Sequence, residues 1–152
     1  MTVLHIDFET RSAADLKEVG LDNYARDPST DVWCMAYCID DEPVQLWSPE
    51  NEDGESFHRL YEAGYHERAH DGFRIVAHNA AFEMAIWDAV MVPRYGFPAV
   101  DSVAVWECTQ AMAYAMAIPG SLERAAAVVG IKQQMDLAGH RLMLQMCAPK
   151  ST

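Results

Sequence analysis

The sequence predicts a mixed α/β domain, and three observations carry that prediction. Three runs rich in β-branched and large apolar residues follow one another over residues 3–47 with short connections, the pattern of an antiparallel meander. Beyond them, apolar residues recur at helical spacing and alternate with short strand-like runs, as in strand–helix units that extend a sheet with parallel strands. The chain has 152 residues, of which 51% are hydrophobic and 22% charged. That is enough apolar content for one core and too little length for two ordinary ones. Residues 1–152 therefore read as a single domain.

The elements follow in order. Val3-Leu4-His5-Ile6-Asp7-Phe8 forms a buried first strand. Ala13 to Tyr24 is mixed and contains Gly20, which predicts a short helix and a loop. Val32 to Ile39 is the second strand, Asp40-Asp41-Glu42-Pro43 a turn, and Val44-Gln45-Leu46-Trp47 an alternating third strand. Glu55 to Glu67 sets Phe57, Leu60, Tyr61 and Tyr65 along one side of a helix. Arg74 to His78 is a fourth strand, and Ala80 to Val92 a helix with a buried stripe, broken at Pro93 and Gly96. Phe97 to Val100 predicts a fifth strand and Ser102 to Met116 a helix. Ser121 starts a helix that Gly130 stops. A last amphipathic helix covers about Asp136 to Met146, before Pro149.

Charge limits the functions available. Eleven Lys+Arg against 23 Asp+Glu leave a net charge of −12, which excludes a surface that grips nucleic acid broadly through its phosphates. One small acidic site working through cations stays open. No stretch approaches the ~18 apolar residues of a membrane span, and the N-terminus lacks the basic region of a signal peptide. A soluble, cytoplasmic protein is expected. Cys34, Cys38, Cys108 and Cys147 make no C-x-x-C pair, so all four are expected as reduced, packed thiols.

Two segments carry candidate chemistry. In Asp7-Phe8-Glu9 the carboxylates share one face of a strand, with Cα atoms roughly 6.5 Å apart. Side by side they repel, and divalent cations relieve that repulsion. Two metals bridged by carboxylates can align a water and a leaving oxygen on a phosphodiester. The alternative is an acidic strand end in solvent. In His78-Asn79-Ala80-Ala81-Phe82-Glu83, Asn79 caps a helix and Glu83 lies one turn in, outside the strand ends where open sheets build sites. Alternatively, Glu83 only complements the helix dipole.

Together, Asp7-x-Glu9 on a first strand and His78-Asn79-x-x-Phe82-Glu83 after two more strands resemble the first two motifs of the DEDD 3′–5′ exonucleases, which have the ribonuclease-H-like fold. Asp101-Ser102 resembles that family's Asp-Thr step, and Ser121-Leu122-Glu123-Arg124-Ala125-Ala126 its Ser-Leu-x-x-Leu-Ala helix. The second motif usually ends in Asp, and Glu83 adds one methylene. More narrowly, Ile6-Asp7-Phe8-Glu9-Thr10, Asp15-Leu16-Lys17, Gly20 and Tyr24 resemble the start of phage-type family A DNA polymerases. Gly139-His140-Arg141-Leu142-Met143 and Cys147-Ala148-Pro149-Lys150 resemble a later stretch of the same proofreading region.

The resemblance implies a ribonuclease-H-like mixed sheet, an antiparallel three-strand meander plus parallel strands with flanking helices. It implies a proofreading 3′–5′ exonuclease in which Asp7, Glu9 and Glu83 hold two Mg²⁺ or Mn²⁺ ions. Asn79 and Thr10 would contact substrate, the 3′ end of single-stranded DNA. A downstream polymerase domain or subunit would be the partner, in a bacterial or phage-infected cell. The family's third motif, Tyr or His then three residues then Asp, is expected beyond Thr152, which makes the chain a truncated piece or a degenerate remnant. Asp136 and His140 have that spacing in reverse and read as coincidence, because the Gly139–Pro149 match precedes the missing motif. Rival readings are an inactive interaction module with the same fold, or an exonuclease acting on RNA. His66 and His70 read as a solvated helix end, and the methionines at 112, 116, 143 and 146 as core. The four tryptophans read as apolar-face residues, with Trp87 and Tyr24 as candidates to stack on a terminal base.

Overall fold

Alternation along the first strand sets the architecture. In β1 (Thr2–Arg11) Leu4, Ile6, Phe8 and Thr10 are buried, while His5, Asp7 and Arg11 are exposed and Glu9 is half-buried. One face meets the core and the other carries the polar groups. These positions come from a computed structural model that describes residues 2–51, 73–100, 102–132 and 136–147. The helix expected over 55–67, with His66 and His70, and also Asp101, Pro149 and Lys150, lie outside the described residues.

β1 pairs antiparallel with β2 (Asp31–Ile39), and β2 pairs antiparallel with β3 (Gln45–Trp47). On its other edge β1 runs parallel to β4 (Phe73–Ala77), which runs parallel to β5 (Trp106–Cys108). The order β3-β2-β1-β4-β5 is a mixed five-stranded sheet with flanking helices, an α/β fold compatible with the ribonuclease-H-like class. The meander and β4 stand where the sequence puts them, and β5 does not.

Two short helices, α1 (Leu16–Val19) and α2 (Leu21–Arg26), follow β1, and Asp15 caps the first by accepting from the Lys17 N–H at 2.8 Å. The helix after β4, α3, is continuous over residues 80–95. It is α-helical over Ala80–Ile86, widens to a π-helix over Trp87–Met91 and tightens again over Val92–Tyr95. Pro93 therefore does not break it. Proline stands near the start of the last segment, and the widened turn before it absorbs the missing donor. Gly96, at φ 70°, ends the helix in the left-handed region. Trp87 is fully buried at the centre of the core, in ring contact with Phe8, Phe97 and Trp106.

Two expectations are corrected here. Phe97–Val100 is not a strand: the Phe97 N–H donates to the Met91 carbonyl, and the Trp87 indole N–H donates to the Pro98 carbonyl at 2.9 Å. That tertiary bond holds the segment over the core. The fifth strand instead falls at Trp106–Cys108, inside the stretch expected as a helix, after a single 3₁₀ turn at Val103–Val105. Of its three residues only Trp106 favours a strand, and pairing with the free edge of β4 draws the segment out. Helix α4 begins only at Thr109 and runs to Ala115. Helices α5 (Leu122–Val129) and α6 (Leu137–Cys147) lie as expected, with the Ser121 hydroxyl accepting from the Arg124 N–H and Gly130 closing α5 at φ 80°.

The methionines are also corrected. Met112, Met116 and Met146 are exposed and Met143 is half-buried. Helices α4 and α5 bury one residue between them, Ala113. Among the described residues no helix is long and apolar enough to cross a membrane, and the four cysteines are free thiols.

Candidate active site

The site arises where two parallel strands part company. β1 and β4 pair from Thr2↔Phe73 as far as His5↔Val76. β4 then ends at Ala77, while β1 continues to Arg11 beside β2 alone. Asp7 thus stands level with His78, at the opening beyond the carboxyl ends of the strands, where open sheets form sites. Asn79 makes the turn into α3 at φ 68° and ψ 49°, a left-handed conformation that Asn tolerates better than most residues. It occupies the capping position but makes no side-chain capping bond, so its expected role as an N-cap is not what fixes the turn.

Glu83 is the anomaly of the core. It is 3% exposed, and its Oε2 is the one buried side-chain oxygen or nitrogen among the described residues without a hydrogen-bond partner. Burial pushes its carboxyl up to about 8, with the nearby Asp7 charge adding to the effect and its own backbone N–H opposing it. A Glu that only complemented a helix dipole would stay solvated and ionised, so this is not that arrangement.

Asp7 opens onto a cleft whose walls displace much of its water, which raises its carboxyl, while the His78 imidazole pulls it down. Glu9 is raised by burial first and the Asp7 charge second, against a lowering influence from His140. Asp7 is therefore electrically coupled to Glu9 along its own strand and to Glu83 on α3. His78 is itself fixed: its Nε2–H donates to the Gly120 carbonyl at 2.8 Å, and Nδ1 lies 3.0 Å from the Thr109 hydroxyl.

The cleft is open and holds about 640 Å³, within the range of small-molecule sites. Asp7 and Glu9 line it from β1, Trp33 and Cys34 from β2, and Leu122 and Ala126 from α5. Helix α6 closes the far side with Asp136, His140, Met143 and Met146. Asp136 and His140, set aside on the sequence, thus meet the Asp7–Glu9 pair. Their spacing has a local cause, because Asp136 caps α6: its Oδ1 accepts from the Ala138 N–H and its carbonyl from the His140 N–H, both at 2.9 Å.

The other candidates fall elsewhere. Thr10 is on the core face, buried, with its hydroxyl 2.8 Å from the Tyr24 hydroxyl. It props Tyr24 and is not open to a ligand. Tyr24 and Trp87 are buried too, which corrects both as stacking surfaces. Phe8 is core as expected, and Phe82 packs partly buried near Tyr24, with ring centroids 6.2 Å apart.

Three carboxylates on hard oxygen donors suit Mg²⁺ or Mn²⁺ in ligand type, and the orphaned Glu83 oxygen is the kind of atom a cation satisfies. Among the described residues, however, no three His, Cys, Asp or Glu side chains stand together as a ready ligand set. The arrangement is two coupled pairs, Asp7 with Glu9 and Asp7 with Glu83.

No family model matches the chain. Over 155 aligned residues, 98% of the chain, it is 27% identical to a DNA polymerase of Bacillus phage SP02. The chain spans 21% of that relative's length. The similarity relates this domain to part of a phage DNA polymerase.

Proposed function

We propose that the domain is a metal-dependent 3′–5′ exonuclease associated with a DNA polymerase, acting on the 3′ end of single-stranded DNA. The observation that carries the reading is the Glu83 carboxyl, buried with an oxygen that bonds to nothing and coupled to Asp7 at the mouth of the sheet. A buried carboxyl oxygen without a partner is costly to keep, and a cation that Glu83 could ionise to receive accounts for it. The similarity to part of a phage DNA polymerase supports the choice of DNA as substrate.

In this reading Asp7, Glu9 and Glu83 hold two Mg²⁺ or Mn²⁺ ions. Such ions, when bound, lower the pKa of a water and neutralise the oxygen that leaves. The protein's own part is binding and exclusion. Asp7 and Glu9 present two oxygen donors from one rigid strand, and the apolar walls of α5 and α6 narrow the water around them. The His140 imidazole partly offsets the burial and the Asp7 charge that raise the Glu9 carboxyl. Asn79, exposed at the turn, is the side chain offered to the sugar or phosphate.

The test is a 5′-labelled single-stranded oligonucleotide incubated with the protein in Mn²⁺. Products shortened one nucleotide at a time from the 3′ end, absent in EDTA and with Asp7→Ala, are expected. Shortening that Asp7→Ala leaves intact, or no metal-dependent shortening at all, overturns the reading.

A further inference from the structure

We infer that Trp33 is the stacking platform for the base of the terminal nucleotide, an inference that rests on the exonuclease reading and adds a residue to it. In a regular strand two consecutive side chains point to opposite faces, yet Trp33 and Cys34 both line the cleft. The ladder explains this. Glu9 pairs with Cys34, but the next residue, Thr10, pairs with Val32, so β2 carries one extra residue opposite β1 and that residue is Trp33. Such a bulge re-aims a side chain. Here it turns a large aromatic ring into the space beside the Glu9 carboxylate.

The ring is also held. The Arg11 guanidinium lies over it, 4.7 Å from the ring centre, and is itself tied to Asp31 at 3.1 Å. The indole N–H donates to the Met146 carbonyl at 3.3 Å, near the end of α6. One face and the polar edge are thus occupied, and the residue still lines the cleft. A ring fixed before binding loses little freedom when a base stacks on it. Stacking suits a nuclease that removes any base, since every base has a π-face. Trp47 and Trp87 are buried, and neither is available for the task.

The probes are thymidine 5′-monophosphate and deoxyribose 5-phosphate, in Mg²⁺, with the full 152-residue chain. The nucleotide should quench tryptophan fluorescence in the wild type. Trp33→Phe should remove most of that quenching, and Trp106→Phe should keep it. By calorimetry, Trp33→Leu should weaken nucleotide binding about 5- to 100-fold and leave the base-free sugar phosphate unchanged. Trp33→Phe should restore part of the lost affinity. Equal weakening of both probes would make Trp33 a structural residue and overturn the inference. So would quenching that survives in Trp33→Phe, or unchanged nucleotide affinity in Trp33→Leu, and either result leaves the exonuclease reading standing. If neither probe binds the wild type, the inference and the reading fall together.

Discussion

The Asp7 charge bears directly on Glu83, a residue 76 positions later in the chain whose buried Oε2 has no hydrogen bond. β1 and α3 come together at this point through the parallel pairing of β1 with β4. Burial first, and the Asp7 charge after it, give a carboxyl that holds its proton to about pH 8 when folded and releases it in the ordinary Glu range when unfolded.

That difference fixes the sign of a pH dependence. Between its ordinary value of 4.5 and about 8 the folded state binds the proton more tightly, so stability from this group is full below the lower value and is lost as pH rises through the upper one. Asp7 and Glu9, also raised, act in the same direction. In metal-free buffer the melting temperature should fall between pH 5.5 and 8.5. A loss on the order of 2 kcal/mol corresponds to about 4–8 °C. Glu83→Gln should flatten the slope. A melting temperature that rises over this window, or a slope unchanged in Glu83→Gln, contradicts the assignment.

Relief of repulsion should also be visible at Asp7. Asp7→Asn removes a charge that raises both neighbours, so the metal-free protein at pH 8 should melt higher than the wild type. Adding Mn²⁺ should reverse the ranking, because only the wild type gains a bound ion. Thermal melts with and without the metal check both signs.

Packing predicts a third contrast. Trp87→Ala opens the centre of the core and should cost about 3–5 kcal/mol, read from urea unfolding. Met116→Gln, at a residue 70% exposed, should change stability by less than about 0.5 kcal/mol. Comparable losses at the two positions would contradict the burial assigned to them.

Much of this was legible in the sequence, for identifiable reasons. The meander and the β1–β4 core followed from residue type, and helices α5 and α6 from their caps and spacing. Glu83 was found because its distance from a strand end is a local property. The Phe97–Cys108 stretch was not legible: its strand exists because β4 offers an edge, and its loop because Trp87 bonds Pro98. The methionines at helical spacing gave the right helices and the wrong burial. Trp33 escaped because a bulge without glycine leaves no mark in an alternating pattern. Order along the chain sets Asp136 and His140 apart from the motifs, whereas the fold brings them to the cleft that Asp7 and Glu9 line.

The most direct test of the site is calorimetric titration of the protein with Mn²⁺ at pH 7.5. The wild type should bind the ion and release protons as it does so, since Glu83 must ionise to become a ligand. Asp7→Asn and Glu83→Gln should each weaken binding by at least about tenfold, and proton release should shrink in Glu83→Gln. Binding of equal strength in the wild type and both variants, or no binding in any of them, would contradict the claim that these carboxylates form one metal site.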